Sequence, residues 1–294
     1  MIIKLLVNGL VIGCIYGLLA LGYSLIYKSS GLMSFVQGDF LTMGAYIGLA
    51  LSRTDLPFYV FVPLTMVTMF IVGMLVERVI IRPLKRKNLP AIFIVLATIA
   101  LSYIIQNGVQ FIWGTTMMWF PSLFNVGKIK AFGLSFTMET IVCVVISIIL
   151  MVILALFMKY TRLGTSLRAS AINPVAAKAC GVNVNFSTGL SWGLAAAIAA
   201  IAGCLLGPIY GVYATLGSTT GTKSFAAAVI GGYGNFYGAI LGGVLLGLVE
   251  TLIAGYISSA WKDLIAYAIL LAFLFTKPFG LLNESTIQSC RALQ

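Results

Sequence analysis

The residues that could do chemistry in this sequence are few. Across 294 residues there are seven Asp and Glu and no His. Gly189-Leu-Ser-Trp-Gly193 has the G-x-S-x-G spacing of a nucleophile elbow. A serine of that kind needs a base, and no histidine is present to serve as one. Gly217 to Ser224, GSTTGTKS, has the outline of a phosphate loop. Its lysine follows Thr222 rather than the required glycine. The acids form no obvious pair on one helical face for general acid–base work. Five cysteines, at 14, 143, 180, 204 and 290, show no C-x-x-C spacing. Without histidine a zinc site is not expected, and these thiols read as small packing residues. The sequence therefore predicts no catalytic residue, no metal and no cofactor.

What remains is charge in apolar surroundings. Asp39 and Gln37 stand at the mouth of the apolar run 40–51, Glu77 and Glu139 near the ends of other runs, and Glu250 late in one. A carboxylate near a bilayer centre costs about 2.5–3.5 kcal/mol on insertion scales, so Asp39 should face protein or water. This is thin material for a carrier driven by a proton or sodium gradient. If no ion path in this chain supplies the energy, a partner must. The place for it to enter is Lys159 to Asn185, a basic, polar island. Within it Asn173 suits an N-cap, Pro174 the first helical position and Gly181 the residue just past the end. A helix of about two turns is far below the roughly 12–15 residues that are marginal in water. With side chains as small as Ala176 and Ala177 it makes sense pressed into a groove on another protein.

The elements that carry these residues follow from composition. The chain is 61% hydrophobic and 9% charged, against roughly 25% charged in soluble domains. It is expected to be an all-α, polytopic transmembrane bundle, because unpaired amides are too costly in lipid. Spans are expected near 2–27, 40–51, 58–81, 91–112, 138–158, 187–210, from 237 onward and 264–279, about eight crossings. The first run is too long for a cleaved signal. Residues 28–39 suggest a broken or kinked helix. Residues 216–236 suggest a re-entrant one, with a short helix Phe225–Ile230 ending in a turn at Gly231, Gly232 and Gly234. Gly9, Gly13, Gly17 and Gly22, and the pairs Gly238/Gly242 and Gly243/Gly247, have the spacing of close helix packing. Trp113, Trp119, Phe120 and Phe124 suggest an interfacial belt. The net charge of +11 reads as topology, not nucleic-acid binding: the basic loops 82–90 and 159–185 fall on one side, the cytoplasmic one. With 40–51 counted as a span, the N-terminus is outside.

Taken together the motifs resemble a known family. Asn8 to Gly22 (NGLVIGCIYGLLALG), Ser34 to Phe40 (SFVQGDF) and Met43 to Tyr46 (MGAY) are similar to the opening of LivH-type permeases, membrane subunits of ABC importers for branched-chain amino acids. Residues 223–250, KSFAAAVIGGYGNFYGAILGGVLLGLVE, are similar to that family's second hallmark. The likeness spans almost the whole chain. Val175-Ala176-Ala177-x-x-x-Gly181 resembles the E-A-A-x-x-x-G signature of ABC importers, with valine in place of the glutamate. The resemblance implies one permease domain, 1–294, with a cytoplasmic coupling loop at 159–186. It implies four kinds of partner: a second, LivM-like permease subunit, two ATPase subunits, an extracytoplasmic binding protein and membrane lipid. It implies a bacterial cytoplasmic membrane and a cargo of leucine, isoleucine or valine, while relatives take urea or short amides. Asn173, Pro174, Ala176, Ala177 and Gly181 would form the ATPase contact. Arg168 is either part of it or a topology charge. Gln37, Asp39, Phe35, Phe225 and Tyr233 are candidates for the translocation pathway, against the alternative that they only hold a kinked helix and pack the core.

Overall fold

The computed structural model describes residues 2–54, 57–87, 90–120, 129–131, 134–256, 258–277 and 280–281. The helices in chain order are α1 (Ile2–Ser30), α2 (Gln37–Ser52), α3 (Phe58–Val76), α4 (Arg82–Arg86), α5 (Ala91–Trp113), α6 (Met138–Tyr160), α7 (Arg162–Ile172), α8 (Pro174–Ala179), α9 (Val184–Tyr210), α10 (Leu216–Gly231), α11 (Phe236–Tyr256) and α12 (Lys262–Thr276). A π-helical turn, Glu77–Ile81, joins α3 to α4 without a break. A short antiparallel pair, β1 (Ile129–Ala131) with β2 (Leu134–Phe136), lies before α6. Among the described residues, six helices are long and apolar enough to cross a membrane: α1, α3 with α4, α5, α6, α9 and α11. The chain is a multi-pass membrane protein.

At the centre is α9, apolar on every side and almost wholly buried. Its alanines and glycines let neighbours approach to backbone contact. A Cβ on Gly73 of α3 would meet the backbone of Trp192 and Gly193, and one on Gly44 of α2 the backbone of Ala200. α1 and α11 pack antiparallel through facing glycines: a Cβ on Gly247 would meet the backbone of Gly13, and one on Gly243 that of Gly17. This is the close approach that the glycine spacing predicts.

One face of the bundle carries the basic ends. Lys85 Nζ donates to the Ser30 carbonyl (3.1 Å), Ser191 Oγ to Ser29 Oγ (2.5 Å), and Lys28 sits over the Phe236 ring. At the other face the chain after α9 pairs back: Val212 and Met118 exchange two backbone hydrogen bonds of 2.8 and 2.9 Å. Phe120, expected at the interface, is instead buried, stacked on Phe61 and packed against Gly207. The missing β-carbon at Gly207 makes the space it fills. Trp119 is exposed as expected, and Phe124 lies outside the described residues. Cys14, Cys143 and Cys204 are buried packing residues, whereas Cys180 is exposed because it ends α8 on the outside of the bundle.

Two helices begin inside the protein. α1 stops at Ser30, Gly31 turns the chain with φ +68°, and α2 starts only at Gln37. Gln37 Nε2 donates to the carbonyl of Ala195, well inside α9 (2.8 Å), so α2 starts at mid-depth. The first turn of α10 meets it there. The Gly217 amide donates to Thr42 Oγ1 (2.8 Å), and a Cβ on Gly38 would run into the Gly217 backbone.

The helix expected at Phe225–Ile230 therefore begins earlier, at Leu216. The polar run GSTTGTKS is helical because its hydroxyls bond back along the helix. Thr220 Oγ1 donates to the Leu216 carbonyl (2.7 Å), Thr222 to Ser218 (3.0 Å) and Ser224 to Thr220 (2.7 Å). Such i−4 bonds keep hydroxyls satisfied where no water reaches.

Candidate functional site

The basic island folds as two helices, of which the sequence announced only the second. Thr161 starts α7 by accepting the Gly164 amide on its hydroxyl (3.0 Å), and Leu167 anchors the helix with 1% exposure. α8 has the ends that its sequence predicts. Asn173 Oδ1 accepts the amides of Val175 and Ala176, both at 3.0 Å. Gly181 takes φ +82°. The Val182 amide then reaches the Ala177 carbonyl (2.9 Å) and the Gly181 amide that of Lys178 (3.0 Å), which is a Schellman close. Asn183 Oδ1 accepts the Phe186 amide (3.1 Å) and starts α9.

Ala177 is the one buried residue of α8 and ties it to the bundle; Pro174, Val175, Ala176 and Lys178 face out. Ile172 and Val175, on either side of the Asn173-Pro174 turn, are 78% and 76% exposed. Two branched aliphatic side chains so open on the polar face of a membrane protein are unusual, since covering each is worth about 1.5–3 kcal/mol. The valine that replaces the expected glutamate thus adds apolar surface. Arg168 turns inward along α7: its Nη2 lies 3.4 Å from both the Lys159 carbonyl and Thr165 Oγ1. Those contacts tie α7 to the end of α6.

Of the residues singled out as pathway candidates, the structure brings three together. Phe35 and Phe225 have centroids 5.2 Å apart, and Phe225 and Tyr233 5.6 Å. Tyr23 and Tyr27 complete the cluster at 5.7 Å from Phe225 and 4.8 Å from Tyr233. It lies between α1, the 31–36 segment and α10, on the basic side of the point where α2 and α10 meet. Gln37 and Asp39, at the start of α2, take their hydrogen-bond partners instead from α9 and α5. Asp39 accepts a hydrogen bond from Ser102 and lies in the first turn of α2, where a helix N-terminus favours an acid. Gln37 Oε1, Asp39 Oδ1 and Ser34 Oγ are buried without a hydrogen-bond partner among the described residues. The glycines after α10 divide by role. Gly232 and Gly234 turn the chain with φ +108° and +92°. Gly231 is still helical, and its lack of a side chain lets Gly238 of α11 pack on it.

Sequence reasoning missed a buried charge network. Lys223 Nζ lies 2.6 Å from Glu250 Oε1 and 2.6 Å from Asp263 Oδ1. Tyr16 donates to Glu250 Oε2 (2.8 Å), and Lys262 Nζ stands 3.9 Å from Oε1. The network joins α1, α10, α11 and α12. Its signal was a lysine and a glutamate in apolar segments 27 residues apart, which sequence spacing alone does not pair.

Comparisons with known proteins place this architecture. A family model described as "Branched-chain amino acid transport system / permease component" matches residues 5–274. The Escherichia coli K12 "High-affinity branched-chain amino acid transport system permease protein LivH" is 31% identical, covering 96% of this chain and 95% of that protein. BraD, a permease protein of the same description from Pseudomonas aeruginosa, is 32% identical over 61% of this chain and 62% of its own length. The solved structure of PsaBC from Streptococcus pneumoniae in complex with Fab shares the fold, with a TM-score of 0.51 and 15% identity over 92% of this chain and 91% of that one. On the breadth of the family match and the full-length likeness to LivH, the chain belongs to the branched-chain amino acid transport permease family.

Proposed function

We propose that this chain is a permease subunit of an ATP-driven importer of branched-chain amino acids, worked from the cytoplasmic side through α7 and α8. The observation that carries the reading is the α7–α8 corner: α8 is capped at both ends and tied to the bundle by Ala177 alone, and the corner leaves Ile172, the last residue of α7, and Val175 of α8 bare. A partner that covers those side chains gains the apolar contact the isolated chain forgoes. The family match supports the cargo class. In this reading the basic face is cytoplasmic, in a bacterial inner membrane. Two ATPase subunits, a second permease of the same family and an extracytoplasmic binding protein complete the machine.

The mechanism follows from where the broken helices meet. ATP-driven closure of the ATPases pushes α8, and α7 carries the push to α6 and to the start of α9. The contacts between α2 and α10 run mainly through Gly38, Gly217 and Gly221, with the Gly217–Thr42 hydrogen bond across them, so few side chains interlock and these helices can slide. The aromatic cluster of Phe35, Phe225 and Tyr233 closes the route on the basic side and parts when they do. Ser34, Gln37 and Asp39 offer polar atoms on the way through.

Reconstitution tests this. Leucine uptake into proteoliposomes should require the loaded binding protein outside, both permease subunits, and the ATPase with ATP inside. Uptake by this chain alone, driven by a proton or sodium gradient, would replace the reading with that of an ion-coupled carrier. Uptake of urea or a short amide in place of leucine would move the cargo.

A further inference from the structure

At the basic end of α3 the structure holds a cavity of about 490 Å³. Its upper wall is apolar and open to the side. Ile71 and Leu75, each 57% exposed, form one edge and Phe186 of α9, 47% exposed, the other. Its floor is polar, lined by Glu77, Arg78, Arg82, Asn183 and Asn185.

The π-helical turn at Glu77–Ile81 sets the charges of that floor. In a π turn the residue five along, not four, closes the hydrogen-bond ring. Arg82 accordingly comes over Glu77, with Nη2 2.7 Å from Oε2 and also 2.9 Å from the Asn185 carbonyl. Glu77 further accepts the Thr188 hydroxyl (3.0 Å). Glu77 and Arg82 neutralise each other. Arg78 beside them is exposed and has no ion pair or hydrogen bond among the described residues. The cavity thus carries one uncompensated positive charge. Asn183 spends its carbonyl oxygen on the Phe186 amide, which leaves its amide NH2 to donate.

We propose that this cavity is a binding site for one anionic phospholipid, with its phosphodiester on Arg78 and an acyl chain along Ile71, Leu75 and Phe186. A single negative charge at headgroup depth, attached to an apolar chain, matches both halves of the site. A soluble anion would leave the apolar wall unused. A basic pocket between helices on the cytoplasmic side suits such a headgroup. The lipid would touch Asn183 and Phe186, where the polypeptide re-enters the membrane after α8. The site depends on the membrane setting, not on the cargo.

The test is native mass spectrometry of the assembled transporter, titrated in micelles with phosphatidylglycerol or phosphatidylcholine. The wild type should retain one phosphatidylglycerol per copy of this chain, favoured over phosphatidylcholine by about fivefold, the effect of one arginine near a membrane surface. Arg78→Gln should erase that preference while the complex stays intact. Leu75→Trp, which fills the apolar limb and leaves every charge, should lower retention of both lipids. Equal retention of the two lipids by the wild type, or an undiminished preference in Arg78→Gln, overturns the proposal. So does displacement of the lipid by excess inorganic phosphate, which would mark a free-anion site. Loss of the ATPase subunits from Arg78→Gln with lipid retention unchanged would make Arg78 a protein contact instead.

Discussion

Lys223→Met is expected to destabilise the permease by on the order of 3–5 kcal/mol, the range for breaking a buried ion pair from one side. Lys223 and Glu250 have side chains only 10% and 5% exposed, 2.6 Å apart. Without the ammonium, Glu250 keeps one good donor, Tyr16, and a lysine 3.9 Å away. The Asp263 arm matters less, since that carboxylate is 55% exposed and screened by solvent. The pair as a whole need not stabilise the fold, because two desolvated charges roughly cancel their own attraction. Lys223→Met with Glu250→Gln should therefore recover most of the loss, since glutamine still accepts from Tyr16. Thermal unfolding in detergent, read by size-exclusion fluorescence, measures both. A single variant as stable as wild type, or a double variant worse than the single, would mean that the pair does not hold α10 to α11.

The second large effect is steric. Gly243→Leu should leave little folded protein. A β-carbon at Gly243 falls on the backbone nitrogen and Cα of Gly17, and one at Gly247 on those of Gly13. Overpacking a core usually costs about 1–3 kcal/mol because side chains yield. Here the obstacle is main chain, so the whole α1–α11 pair must separate and the cost lies at or above the top of that range. Gly108→Leu is the matched control, because nothing lies within 4 Å of its β-position. Equal yields of monodisperse protein from the two variants would contradict the packing described.

These residues also show what the sequence discloses. Glycine spacing on α1 and α11 was legible because close packing needs bare faces at fixed intervals. The ends of α8 were legible because Asn173, Pro174 and Gly181 act locally. The break before Gln37 was legible from its polar residues. The start of α10 was not: Thr219, Thr220 and Thr222 look like loop residues until their hydroxyls are seen to bond the helix behind them. α7 was missed because its register depends on Leu167 finding the bundle. The Lys223–Glu250 pair was hidden because it depends on how α10 packs on α11. Phe120 was misplaced because an aromatic near a span end reads as interfacial unless a gap such as that beside Gly207 is known.

If a separate ATPase works this chain through α8, the two touch there. Cys180, exposed at the end of that helix, is a native handle. Membranes holding the assembled transporter should be treated with a short thiol–amine crosslinker and probed for adducts. A crosslink from Cys180 to the ATPase subunit is expected, absent in Cys180→Ser, with a yield that changes when ATP is added. Adducts formed only with the extracytoplasmic binding protein, or none to the ATPase in membranes that still import, would contradict that contact.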